Sequence, residues 1–134
     1  MSSRRSNYIA WLVKADNDLL NIANNLAAEQ VPWDTVCFHA QQVAEKVLKA
    51  YLVYHGQRPT RTHDLVALLA RCVGVDAQLA SLEDDCRSLS SYAVSSRYPT
   101  DLFEPEEGDA RAMLEACRRI NTAVRSRLST PEEK

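Results

Sequence analysis

Between Trp33 and Leu65 the chain reads WDTVCFHAQQVAEKVLKAYLVYHGQRPTRTHDL, and this stretch leaves the fold few options. Val36, Ala40, Val43, Val47, Ala50 and Tyr54 recur every three or four residues, the period of a helix that buries one stripe. A second apolar line, Phe38, Leu48 and Leu52, lies off the first. A helix apolar on two sides must touch several neighbours, so this one belongs at the centre of a bundle. Only Gln41, Gln42, Glu45, Lys46 and Lys49, with His39 above them, stay polar, and any chemistry of the helix has to come from that narrow face.

The remaining segments supply the neighbours. From about Asn7 to Ala28 the residues Tyr8, Leu12, Ala15, Leu19, Ile22 and Leu26 repeat the same period, with Asp16, Asn17, Asn21, Asn24 and Asn25 expected outside. Val31-Pro32 breaks that helix, because proline disfavours helical geometry in the residue before it. Asp34 is placed to cap the second helix, which runs to about His55, and Gly56 to end it in a left-handed conformation. After the basic turn Arg58-Pro59-Thr60-Arg61, Thr62 is placed to cap a third helix from His63 to about Val73, buried through Leu65, Leu68, Leu69 and Cys72. Asp76 opens a fourth with the stripe Leu79, Leu82, Cys86, Leu89 and Ala93, and a last helix carries Ala110, Met113, Cys117, Ile120 and Val124 to about Leu128. With only three glycines and five prolines there is little room for a turn-rich sheet. The expectation is one all-α domain over residues 1–134, ordered from about 7 to 128: an antiparallel, up-and-down bundle of about five helices.

Charge and cysteine usage narrow the function. The formal net charge of −2 argues against generic polyanion binding, but it is unevenly spread. Residues 83–109 hold eight carboxylates against Arg87 and Arg97, whereas residues 111–127 hold five arginines against Glu115. Such polarity suits a partner or self-association as readily as nucleic acid. Cys37, Cys72, Cys86 and Cys117 form no CxxC pair and fall near apolar helix positions, so they read as buried free thiols of a reducing compartment. There is no signal-like opening and no apolar run near the ~20 residues that span a bilayer, which leads us to expect a soluble cytoplasmic protein without metal or cofactor.

His39-Ala40-Gln41-Gln42, Glu45-Lys46 and Lys49-Ala50, then Thr62-His63-Asp64-Leu65, then Arg97-Tyr98-Pro99, in that order, resemble the prokaryotic HEPN domain family over about Tyr8 to Leu128. The resemblance implies a five-helix bundle, commonly dimeric, often working beside a minimal nucleotidyltransferase and associated with nucleotide or RNA binding; some members are ribonuclease toxins. Lys46, Lys49, Arg61, His63, Arg97 and Tyr98 are then the candidate nucleotide or RNA contacts. Arg97 suits a phosphate and Tyr98 a base, but Arg97 equally suits the end of the fourth helix or Glu45, and Tyr98 a plug for the bundle. His63 and Asp64 open a helix whose amides and dipole favour an anion, or Asp64 is itself that anion.

An alternative reading is a metal-independent endoribonuclease. It needs a base near neutral pKa and a cation for the phosphate, and Arg58 and His63 have the ribonuclease branch's spacing, although Pro59 stands where that branch has a polar residue. A third reading is a structural dimer or adaptor. The homodimer expected from the resemblance would use the first helix, where Trp11 adds apolar surface.

Overall fold

The computed structural model describes residues 3–95 and 105–128, with the side chains of 7–90 and 105–128. Arg97, Tyr98 and Pro99 lie outside the described residues. Among the described residues five α-helices follow one another: α1 (Ser3–Leu26), α2 (Trp33–Tyr54), α3 (Leu65–Val73), α4 (Glu83–Ser95) and α5 (Glu107–Arg125), with a 3-10 turn, Ala77–Leu82, leading into α4. The fold is all-α, as the periodicity predicts, and no strand occurs among the described residues. α2 packs against α1, α3, α4 and α5 at once. Its stripe residues Val36, Ala40, Val43, Val47 and Ala50 are fully buried, as are Leu48 and Leu52 of the second line. Each large aliphatic side chain so buried contributes about 1.5–3 kcal/mol, which is why the central helix dominates the core.

α1 and α2 run antiparallel, since Tyr8 meets Tyr54 edge-on at 4.9 Å while Asp18 reaches back to His39 and Lys46. α1 begins at Ser3, earlier than the polar opening suggests, because Ser-Arg-Arg-Ser contains no residue that stops a helix. Two residues leave their expected places. Phe38 is exposed (50 %) and does not join Leu48 and Leu52 in the core. At about 100° per residue Phe38 points away from Val36 and Cys37, which are fully buried, and lies among the partly exposed Thr35, His39 and Gln42. Asn25 is half-buried, with Nδ2 lacking a partner among the described residues.

The helix ends locate the loops. α2 closes with Gly56 at φ 81°, where Gly56 N–H donates to the Val53 carbonyl (3.0 Å) and Gln57 N–H to that of Leu52 (2.9 Å). This paired closure requires a left-handed residue after the cap, which glycine adopts without steric cost. Asp34 lies inside the first turn of α2, accepting from the Thr35 amide at 2.8 Å, so it does not precede the helix. α3 is capped by Asp64, not Thr62: its carboxylate accepts from the Val66 (3.0 Å) and Ala67 (3.3 Å) amides, while the Thr62 hydroxyl accepts from Asp64 N–H. Thr62 thus organises the turn and Asp64 the helix. Asp76 caps the 3-10 turn through the Gln78 amide, and its carboxyl is held below the usual range chiefly by a hydrogen bond from Arg127.

All four cysteines are buried free thiols. Burial pushes Cys37 up to about 11 and Cys72, Cys86 and Cys117 up to about 12, from an ordinary value of 9.0. In the unfolded chain these thiols ionise near 9 while in the fold they keep their protons, so the unfolded state releases protons first and stability falls as pH rises from about 9 towards 12. Denaturant titrations at pH 7, 9 and 10 should show this decline, and Cys72→Ala with Cys117→Ala should flatten it. An equally steep decline in that double variant would place its origin elsewhere.

Candidate functional site

The polar face of α2 does not lie open to solvent. It forms two clusters, each a carboxylate shared between an imidazole and an ammonium. In the first, Asp18 of α1 accepts from His39 Nδ1 at 2.7 Å and from Lys46 Nζ at 2.6 Å. Asp18 is buried, so these two bonds supply the compensation that a carboxylate out of water needs. Sequence reasoning passes over Asp18. Its signal is its register, three residues after Ala15 and four before Ile22, on the face of α1 that is otherwise buried.

The second cluster surrounds Glu45, which is 4 % exposed. Lys49, 5 % exposed, donates to Glu45 Oε2 at 2.8 Å, and Gln41 Nε2 donates to Oε1 at 3.3 Å. His63 Nδ1 lies 3.0 Å from both carboxylate oxygens. A carboxylate accepts hydrogen bonds, so the ring hydrogen directed at Glu45 is the one on Nδ1, and Nε2 is not part of this contact. The His63 side chain is 65 % exposed, which makes it the solvent-facing end of an otherwise buried network. Trp11 closes the other end, its ring centroid 5.4 Å from Lys49 Nζ. Trp11 is therefore half-buried over the cluster and is not the exposed apolar residue that α1 was expected to offer a partner. Instead Ile9, Val13 and Leu20 are exposed along the outer side of α1.

The 57–64 loop is seated on this network. Gln41 donates to the His63 carbonyl at 3.3 Å, and Arg71 of α3 donates to the Arg58 carbonyl at 2.6 Å and to Gln57 Oε1 at 3.2 Å. Arg58 and Arg61 are exposed on the loop. The amides of α3 are engaged at its start, those of Val66 and Ala67 by Asp64 and that of Leu65 by Ser90 Oγ of α4 at 2.9 Å. Asp64 is the anion at that helix start, so the backbone there is not a phosphate seat.

The sequence-predicted residues thus separate. Arg61 and His63, with Arg58, share one anchored loop; Lys49 pairs with Glu45, which holds that loop, whereas Lys46 (20 % exposed) pairs with Asp18 of α1 in the other cluster. The five arginines of residues 111–127 do not form a basic patch. Arg111 pairs with Glu107, Arg118 with Glu115, Arg119 with Asp85, Arg125 with Asp16 and Arg127 with Asp76. The Asp85 carboxylate raises the Arg119 pKa further above its ordinary value. No group of His, Cys, Asp and Glu among the described residues is arranged to hold a metal ion, and no described helix is long and apolar enough to cross a membrane.

The chain is thus a small helical bundle whose central helix carries a Gln-Gln-Glu-Lys network, buried at Gln41, Glu45 and Lys49, that anchors a loop with an outward imidazole. The HEPN domain family model matches residues 8–127, nearly the whole chain, and this protein belongs to that family. No curated protein and no solved structure matches the chain.

Removing Lys49 leaves the buried Glu45 without its ammonium, held only by Gln41 and His63, and breaking a buried pair from one side costs about 3–5 kcal/mol. Lys49→Met should therefore lower stability far more than an exposed i,i+4 pair would, and Glu45→Gln combined with Lys49→Met should recover much of the loss. Denaturant melts of the two single variants and the double variant measure the coupling. Additive losses would show that the two charges do not depend on each other.

Proposed function

We propose that this HEPN domain binds nucleotide or RNA phosphate through the 57–64 loop, with Arg58, Arg61 and His63 as the contacts. The observation that carries the reading is where uncompensated positive charge gathers. Among the described side chains most lysines and arginines are paired with a carboxylate. Arg58 and Arg61 have no such partner and sit within five residues of the outward His63. Arginines and an imidazole on an anchored loop suit phosphate oxygens. Lys46 and Lys49 act in this reading by neutralising Asp18 and Glu45, whose bare charges would otherwise repel a phosphate. Arg97 and Tyr98, outside the described residues, are proposed from the family resemblance alone as a further phosphate contact and a base contact. The family resemblance supports two protein partners: a second copy, seated on the Ile9, Val13 and Leu20 stripe of α1, and a minimal nucleotidyltransferase.

The Glu45–His63 pair favours a second reading, metal-independent RNA cleavage. His63 Nε2 would take the 2′-hydroxyl proton as that oxygen attacks phosphorus and the bond from phosphorus to the 5′-oxygen breaks, giving a 2′,3′-cyclic phosphate and a 5′-hydroxyl that takes its proton from water, with Arg58 or Arg61 meeting the charge that builds on the phosphoryl oxygens.

One set of variants tests both. Arg58→Glu with Arg61→Glu should weaken binding of a single-stranded RNA 12-mer and make its salt dependence shallower by about 0.7 in log–log slope for each phosphate that the loop no longer neutralises. Wild-type affinity and slope in that variant would remove the loop from the site. If RNA is cleaved in EDTA, His63→Ala should slow it about 10²–10⁴-fold; intact RNA after prolonged incubation would leave binding as the function. Sedimentation equilibrium should give a dimer at tens of micromolar that Val13→Glu with Leu20→Glu converts to monomer.

A further inference from the structure

We propose that Phe38 is a base-stacking platform beside the phosphate-binding loop, so that the ligand is recognised as a nucleobase together with its phosphate; this rests on the loop reading above. The exposure of Phe38 is anomalous for its helix. Between Val36 and Val53 every other apolar residue of α2 is buried, yet Phe38 leaves half of its surface in water. Its ring stands edge-on to His39 at 5.2 Å, so the side chain has a neighbour on one side while half of the residue's surface stays exposed.

Position makes the ring part of the same site. Phe38 precedes Gln41 by three residues, Gln42 by four and Glu45 by seven, spacings that put all four on one side of a helix. The rise of about 1.5 Å per residue sets Phe38 about 10 Å along the axis from Glu45 and nearer still to Gln41, whose amide holds the His63 carbonyl. A phosphate at Arg61 and His63 therefore leaves its base near the start of this face. Gln42, half-buried one turn from Phe38, gives one amide hydrogen to Gln41 and has no other hydrogen bond among the described residues, which leaves donor and acceptor capacity for a base edge. Aromatic platforms of this kind bind any base through its π-face, and a hydrogen-bonding neighbour adds preference.

A second copy of the chain is the competing occupant. The exposed stripe of α1 does not extend to Phe38: Ile9, Val13 and Leu20 lie on the opposite side of that helix from Tyr8, Ala15 and Ile22, which face the core. The aromatic ring and the aliphatic stripe are therefore separate surfaces, and only the ring shares a helix face with the residues that seat the basic loop.

The experiment measures binding of oligoadenylate, AMP, an abasic ribose-phosphate oligomer of equal length and inorganic tripolyphosphate to the full chain. Phe38→Ala should weaken oligoadenylate or AMP about 5- to 100-fold while changing the abasic oligomer and tripolyphosphate less than about twofold. Phe38→Trp should keep affinity, with indole fluorescence quenched by adenylate beyond the wild-type response. AMP binding as tightly as the oligomer assigns the platform to a free nucleotide, and a much tighter oligomer assigns it to RNA; either supports stacking. Unchanged adenylate affinity in Phe38→Ala, or wild-type affinity no higher for oligoadenylate than for the abasic oligomer, overturns the platform and leaves the phosphate site standing. Failure of the wild type to bind any of the four ligands overturns the loop reading and the platform with it. A dimer that becomes monomeric only in Phe38→Ala shows the ring covered by a second copy, which also overturns it.

Discussion

The ion pair between Glu45 and Lys49 is what allows one helix to be both the centre of the core and the floor of a polar site. Removing a carboxylate and an ammonium from water costs several kcal/mol for each ion, and attraction between them offsets this only when their remaining valences are also satisfied. Gln41 and His63 supply those bonds to Glu45, and the Trp11 ring lies beside Lys49. The residues that make the pair tolerable are drawn from α1, α2 and the 57–64 loop, so satisfying the charge also fixes where α1 and the loop sit. Core packing alone would not do this, because hydrophobic contact is not directional.

The other charges act differently. Arg119 joins α5 to α4 through Asp85, Arg125 joins it to α1 through Asp16, and Arg127 joins it to the 3-10 turn through Asp76. Pairs of this exposure are each worth about 0–1 kcal/mol, too little to determine the fold. Their larger effect is on the surface field. They offset the basic end of the sequence, and the loop arginines among the described residues that make no ion pair with a carboxylate are Arg58 and Arg61. A block of like charges in a sequence is thus a poor guide to a basic surface until its pairings are known.

What is legible in the sequence is what depends on local spacing. The three-and-four period of Val36 to Tyr54 places the central helix, Pro32 and Gly56 bound it, and the absence of paired cysteine motifs leaves four buried thiols. What cannot be read depends on residues far apart in the chain. Glu45 and Lys49 look alike in sequence whether buried or solvated; burial follows from Trp11 and from His63, eighteen residues beyond Glu45. Phe38 departs from its expected place because it shares a side of α2 with partly exposed Thr35, His39 and Gln42 and not with the buried Val36 and Cys37. Thr62 and Asp64 are both good caps, and the choice falls to the residue that can reach two amides at once.

Two carboxylate–imidazole–ammonium clusters of the same chemistry occur on α2, and access alone distinguishes them. His39 is closed between α1 and the helix, with 18 % of its side chain exposed, whereas His63 presents most of its ring to solvent. The difference follows from where each histidine is carried. His39 belongs to α2 and bonds a helix lying along it, so its ring is enclosed by the contact that fixes it. His63 belongs to a loop and reaches the helix from outside, so the carboxylate can hold Nδ1 while Nε2 remains in water. The loop can do this without wandering because Gly56 sets its exit from α2, Asp64 its entry to α3, and Arg71 grips its start. Ordering supplied by the fold need not be supplied again when a ligand binds. On these grounds the first cluster holds two helices together, while the second, built from the same parts, holds an imidazole at the surface.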